Sequence, residues 1–148
     1  MTTRPPLQAR LLGYGGLLPF VGLVAACQLD PGRAGAWQQM LLNYGAVILS
    51  FVGALHWGLA MADNALSPRE RTTCYLWSVM PALLGWLALL LDPVSASCLL
   101  ATGFAVQLLR DWRVAIPAGL PAWFLPLRIQ LSCIAVLSLL LATCVGRI

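Results

Sequence analysis

From Met40 to Ala62 the chain reads "MLLNYGAVILSFVGALHWGLAMA", an apolar run without a formal charge. A helix crosses the hydrocarbon core of a bilayer in about 20 residues, so this run alone is long enough to span. Four further segments are similarly apolar, and together they decide the solvent in which the chain folds. Of its 148 residues, 60% are hydrophobic and 9% are charged, with a mean hydropathy of +0.84. Soluble domains carry about 25% charged residues. So much apolar surface cannot be enclosed within a chain of this size, and lipid must solvate the remainder. The sequence specifies an all-α, integral membrane bundle.

The expected spans cover residues 11–29, 37–62, 73–91, 94–109 and 125–145, making one domain of residues 1–148 with five transmembrane helices. The fourth is the shortest and extends towards the interface only through Arg110 and Trp112. Between the last two spans, "RVAIPAGLPAWFLP" holds Pro117, Pro121 and Pro126. Proline lacks an amide hydrogen and interrupts helices, so this stretch is expected to lie along the interface or dip back shallowly. Ser67-Pro68 reads as the start of the third span. The beginning of the chain, with Arg4, Arg10 and "VAAC" ending at Cys27, imitates a lipoprotein signal peptide. Its glycines and Pro19 fit a packed membrane helix better, and no mitochondrial presequence is evident.

All nine basic residues are arginine, and the net charge is +4. Nucleic-acid binding is excluded as a reading because the arginines cluster between apolar runs and form no exposed basic patch with aromatics. With five spans, Arg4, Arg10, Arg69, Arg71, Arg110, Arg113 and Arg128 share one side, against Arg33 and Arg147 on the other. The positive-inside rule then places the N-terminus in the cytoplasm and the C-terminus outside, in a bacterial inner membrane. Trp37, Trp112 and Trp123 stand near the expected interfaces as belt anchors.

Two lines of small residues are expected to face other helices: Ala46, Ser50, Ala54 and Gly58 in the second span, and Gly15, Pro19, Gly22 and Ala26 in the first. The five cysteines, at positions 27, 74, 98, 133 and 144, show no CxxC spacing. They read as free, small apolar residues.

The polar groups gather in one membrane half. His56, the single histidine, lies seven residues before Asp63, about 10 Å in from the end of its helix. Tyr14, Tyr75, Trp77, Gln107, Arg110, Asp111 and Arg128 all fall near the same side, and Gln107 and Asp111 are one turn apart. Ionisable groups inside a membrane are candidates for function. Three roles stay open for His56: a structural hydrogen bond, a ligand pocket or proton-handling site, and metal or haem ligation. Metal has little support, because no second ligand stands at i, i+4. No catalytic set, phosphate loop or cofactor motif is present. Candidate ligand-binding residues are His56, Trp57, Tyr14, Trp77 and Gln107; Arg110, Asp111 and Arg128 are expected to form a polar clasp between the last two spans.

The blocks "YGAVILSFVGALHWG", "WSVMPALLGWLALLL", "GFAVQLLRDWR" and "LPAWFLPLRIQLS" resemble, in the same order, the family of small membrane proteins that includes transmembrane protein 69, also called domain of unknown function 3429. The resemblance covers nearly the whole chain after residue 11. It implies no activity, and it puts forward His56, Trp57, Trp77, Pro81, Gln107, Asp111, Trp123 and Arg128 as positions to test. On the sequence alone, the expected function is a non-enzymatic accessory or assembly component touching another inner-membrane protein complex, or a homo-oligomer. The alternative is binding, sensing or transport of an amphipathic small molecule in the cytoplasmic half of the bundle.

Overall fold

A computed structural model describes residues 4–62, 66–115 and 118–145. Asp63, Pro117 and Arg147, used above to place span ends, a loop and a charge, lie outside the described residues. Every regular element among the described residues is helical: α1 (Leu7–Gly15), α2 (Leu18–Leu29), a 3-10 turn (Pro31–Arg33), α3 (Ala34–Ala62), α4 (Pro68–Ala88), α5 (Pro93–Ala115) and α6 (Phe124–Val145). Among the described residues, four helical segments are long and apolar enough to cross a membrane: Leu7–Leu29, Pro31–Ala62, Pro93–Ala115 and Phe124–Cys144. Helix α4 is not among them, because its first turns carry Arg69, Glu70, Arg71, Thr72 and Thr73. The outward-facing surface is rich in large apolar side chains, with Leu12, Leu18, Val47, Phe51, Leu76 and Leu90 all exposed. The chain is a transmembrane helical bundle.

The expected first span is broken into α1 and α2. Pro19 has no N–H to donate back to Gly15, so the helix stops and restarts around Gly16 and Leu17. The Tyr44 hydroxyl of α3 donates to the Gly16 carbonyl at this break, at 2.8 Å. In lipid a freed backbone group needs such a partner from a neighbouring helix. Helix α4 starts at the Ser67-Pro68 expected to begin it, ahead of the apolar stretch from residue 73, because a capping box holds it: the Ser67 amide donates to Glu70 Oε2 at 2.9 Å and the Glu70 amide to Ser67 Oγ at 3.3 Å. The fourth span is longer than its apolar core. Helix α5 runs through Arg110 and Asp111 to Ala115, because Asp111 is paired inside the bundle and does not end the helix in water. Its start at Pro93 is capped by Asp92, whose Oδ1 accepts from the Val94 and Ser95 amides at 3.1 Å each. It ends in a turn with Gly119 at φ 61°, where the Leu120 amide reaches the Ala115 carbonyl at 3.0 Å. That conformation favours glycine.

Close approach of α3, α4 and α5 sets the frame. A Cβ on Gly53 would stand 2.6 Å from the ring of Pro81, and one on Gly85 would stand 3.1 Å from the Ala46 carbonyl oxygen. These two contacts run in opposite directions along the two chains, so α4 lies antiparallel along α3. On the third side, Gly103 makes room for Leu49 and Leu84. The core continues through Leu41, Leu42, Leu100 and Leu139, all at most 1% exposed. Phe20 closes it edge-on to Tyr44 and Phe104, with ring centroids 5.1 and 6.1 Å away.

The small-residue lines are only partly used inside the chain. Ala46 packs on Gly85, but Ala54 and Gly58 are exposed, and the buried face of α3 follows Gly45, Leu49, Val52, Gly53, His56 and Ala60 instead. On the first span Gly15 and Gly22 face outward. Leu17, Phe20, Val24 and Cys27 make the packing face, because the Phe20 ring must enter between Tyr44 and Phe104. All five cysteines are free.

Candidate functional site

Four helices each deliver a polar side chain to one buried point. The indole Nε1 of Trp77 (α4) donates to Gln107 Oε1 (α5) at 2.9 Å, and Gln107 Nε2 donates to Asp111 Oδ1 at 3.0 Å. Gln107 Nε2 is also 3.2 Å from His56 Nδ1 (α3). Arg128 Nε (α6) donates to Asp111 Oδ2 at 2.7 Å. Gln107, Asp111 and His56 are 1%, 3% and 4% exposed.

The chemistry of the groups orients the chain of bonds. An indole N–H only donates and a carboxylate only accepts, so the Gln107 amide has its oxygen towards Trp77 and its nitrogen towards Asp111. Its remaining N–H then meets His56 Nδ1, which must offer a lone pair. The ring proton belongs on Nε2, 3.7 Å from Asp111 Oδ1 and beyond direct hydrogen-bond reach. With His56 neutral, the buried charges are one carboxylate and one guanidinium in contact. A buried charge is tolerated in such surroundings when it is paired and hydrogen-bonded.

The expected clasp between the last two spans is therefore Asp111 with Arg128. Arg110 does not join it. Adjacent residues on a helix point about 100° apart. Arg110 accordingly faces α4, its guanidinium carbon 5.5 Å from the Trp77 ring centroid and Nη2 4.0 Å from Cys74 Sγ. Of the five candidate ligand-binding residues, His56, Trp77 and Gln107 converge. Trp57 is 48% exposed and stands edge-on to Tyr75 at 4.8 Å. Tyr14 is 42% exposed and donates from its hydroxyl to Gln130 Oε1 on α6. Neither reaches the buried point.

Beside the polar cluster lies an open cavity of about 280 Å3 between α3, α5 and the start of α6. His56 and Asp111 are its polar lining residues; Leu55, Leu59, Val114, Leu120 and Phe124 supply apolar wall. Sequence reasoning missed that wall, since Leu120 and Phe124 belong to the proline-rich connection and carry no periodic signal. It also missed Ser132, one turn beyond Arg128 in "RIQLS". Ser132 Oγ and Arg128 Nη2 are buried without a partner among the described residues, and both residues line a smaller cavity of about 110 Å3. A cavity with polar groups at one end has the chemistry and the room for ordered water.

Comparison with known proteins adds a family and no activity. Residues 5–144 match the profile of a family described as "Protein of unknown function (DUF3429)". Transmembrane protein 69 of Xenopus tropicalis is 38% identical over 137 residues, which cover 90% of this chain and 53% of that protein. The chain thus spans about half the length of this relative. No solved structure matches.

Proposed function

The chain belongs to the DUF3429 family of proteins of unknown function, and from that premise we propose that it binds a small amphipathic molecule inside a bacterial inner membrane, without catalysing a reaction. The observation that carries this reading is the cavity of about 280 Å3 against His56 and Asp111. Ligand sites are mostly apolar pockets with a few convergent polar groups. The walls would hold the apolar body, and the His56 ring would orient a polar head. On this reading the chain crosses the membrane five times with its N-terminus in the cytoplasm, and the cavity lies in the cytoplasmic half. The antiparallel course of α4 along α3 supports the fifth crossing.

The test is a mild-detergent isolation of tagged chain, comparing wild type with His56→Ala and with Leu59→Trp, which fills the cavity. Mass spectrometry would identify co-purified proteins and extracted small molecules. The reading expects one small molecule stoichiometric with wild type and depleted in both variants. A molecule retained equally by all three would overturn it.

The accessory role is favoured by a different observation. Gly15, Gly22 and Gly58 have nothing within 4 Å of where a Cβ would stand. Small residues allow close backbone approach between membrane helices, and these are not used within the chain. On that reading the same isolation yields a stoichiometric protein partner, or a homo-oligomer, unaffected by His56→Ala.

A further inference from the structure

A third cavity, of about 240 Å3, lies between the first turns of α4 and the last turn of α5. Arg69, Arg110 and Arg113 line it, together with Thr73 and Cys74. Glu70 is the single acidic lining residue, and its carboxylate is already engaged by the Ser67 amide and hydroxyl at 2.9 and 2.6 Å. No ion pair is made by these three arginines among the described residues. Arg110 Nε is buried without a hydrogen-bond partner among the described residues, while the guanidinium is held in place against the Trp77 ring. Arg69 and Arg113 are exposed and Arg110 is half-buried, so three arginines against one carboxylate leave the lining with an excess of positive charge that an anion would offset.

We propose that this cavity is a phosphate-binding site at the membrane surface. Guanidinium groups match phosphate oxygens in charge and geometry, and the Thr73 hydroxyl adds a neutral donor. The exposed Trp112 beside Arg113 puts this end of α5 at headgroup level. Basic pockets between membrane helices hold lipid phosphates in this way. The same chemistry would hold a phosphate carried by a soluble molecule, so the source is an outcome of the test. This inference is independent of the His56 cavity.

The experiment is native mass spectrometry of the full chain released from vesicles of phosphatidylcholine with phosphatidylglycerol. The wild type is expected to retain phosphatidylglycerol over phosphatidylcholine by about tenfold. Arg69→Gln with Arg113→Gln removes that preference, Arg69→Lys with Arg113→Lys keeps most of it, and Arg33→Gln at the other end keeps all of it. If the double glutamine variant fails to fold, as judged by its circular dichroism, Arg113→Gln alone at the exposed end of α5 reads the same loss. Inorganic phosphate is then added. Unchanged retention assigns a lipid phosphate; displacement of the lipid assigns a soluble phosphate compound to the same site. The proposal is overturned if folded glutamine variants keep the wild-type preference, or if the wild type binds neither phosphatidylglycerol nor inorganic phosphate at this site.

Discussion

Asp111 ties the polar cluster together, accepting from Gln107 through one oxygen and from Arg128 through the other. Its replacement by leucine leaves the Arg128 charge buried without its counter-ion, which costs about 3–5 kcal/mol. Replacing both partners by leucine removes the charge as well as its mate, and most of the loss is expected to return. Reversible unfolding in mixed micelles measures both; a double variant as weak as the single one would deny that the pair exists mainly to satisfy itself. At this scale the residues were legible, and so was a clasp of Asp111 with an arginine; which arginine it takes, and the contacts of Gln107, were not. His56, Gln107, Asp111 and Arg128 stand out because polar groups are rare in apolar runs. Which of them touch depends on the rotation of each helix about its axis. That rotation sends Arg110 to Trp77 and leaves Trp57 and Tyr14 outside, although each lies near the right depth.

Between helices, the contacts that matter are those where a missing Cβ lets backbones meet. Gly53→Ala would press a methyl into the Pro81 ring, which cannot move aside, and is expected to destabilise the bundle by about 1–3 kcal/mol. Gly22→Ala meets nothing and should leave the melting temperature unchanged or slightly raised. The sequence puts Gly22 in a packing line and leaves Gly53 out of one, and only the partner's shape shows which of them is packed. A line of small residues shows where helices could meet; it does not show that a neighbour in the same chain does so. The capping box makes a prediction of the opposite kind, since the four residues "SPRE" are enough to specify it. Hydrogen bonds from the Ser67 side chain and backbone hold the Glu70 carboxyl below the usual range. A depressed folded value means stability that is present above the ordinary value of about 4.3 and lost as pH falls through the depressed one. The difference in melting temperature between wild type and Glu70→Ala should therefore be full at neutral pH and shrink in acid, with wild type the more stable. A difference growing towards low pH would reverse the sign and refute the cap.

For the whole molecule, the decisive question is whether α4 crosses the bilayer. Hydropathy alone leaves it out, since its first turns are polar. Its packing argues for a crossing: Pro81 meets Gly53 and Gly85 meets Ala46, so α4 follows α3 along its length, and Leu76, Met80, Leu83 and Leu87 continue the apolar exterior. A helix lying on the membrane surface would have no use for an apolar exterior so far from its polar start. Reporter enzymes active only outside the cytoplasm, inserted at Gly32, Ser67, Asp92 and Gly119, separate the two arrangements. Five crossings with the N-terminus inside place Gly32 and Asp92 outside, and Ser67 and Gly119 inside. If α4 does not cross, Asp92 joins Ser67 inside and Gly119 moves outside. The first pattern is expected, because the arginines of Ser67–Arg71 and of the α5 end then share the cytoplasmic side, as the positive-inside rule requires. The second would put Arg113 and Arg69 on opposite sides of the membrane, and the cavity they both line counts against that arrangement.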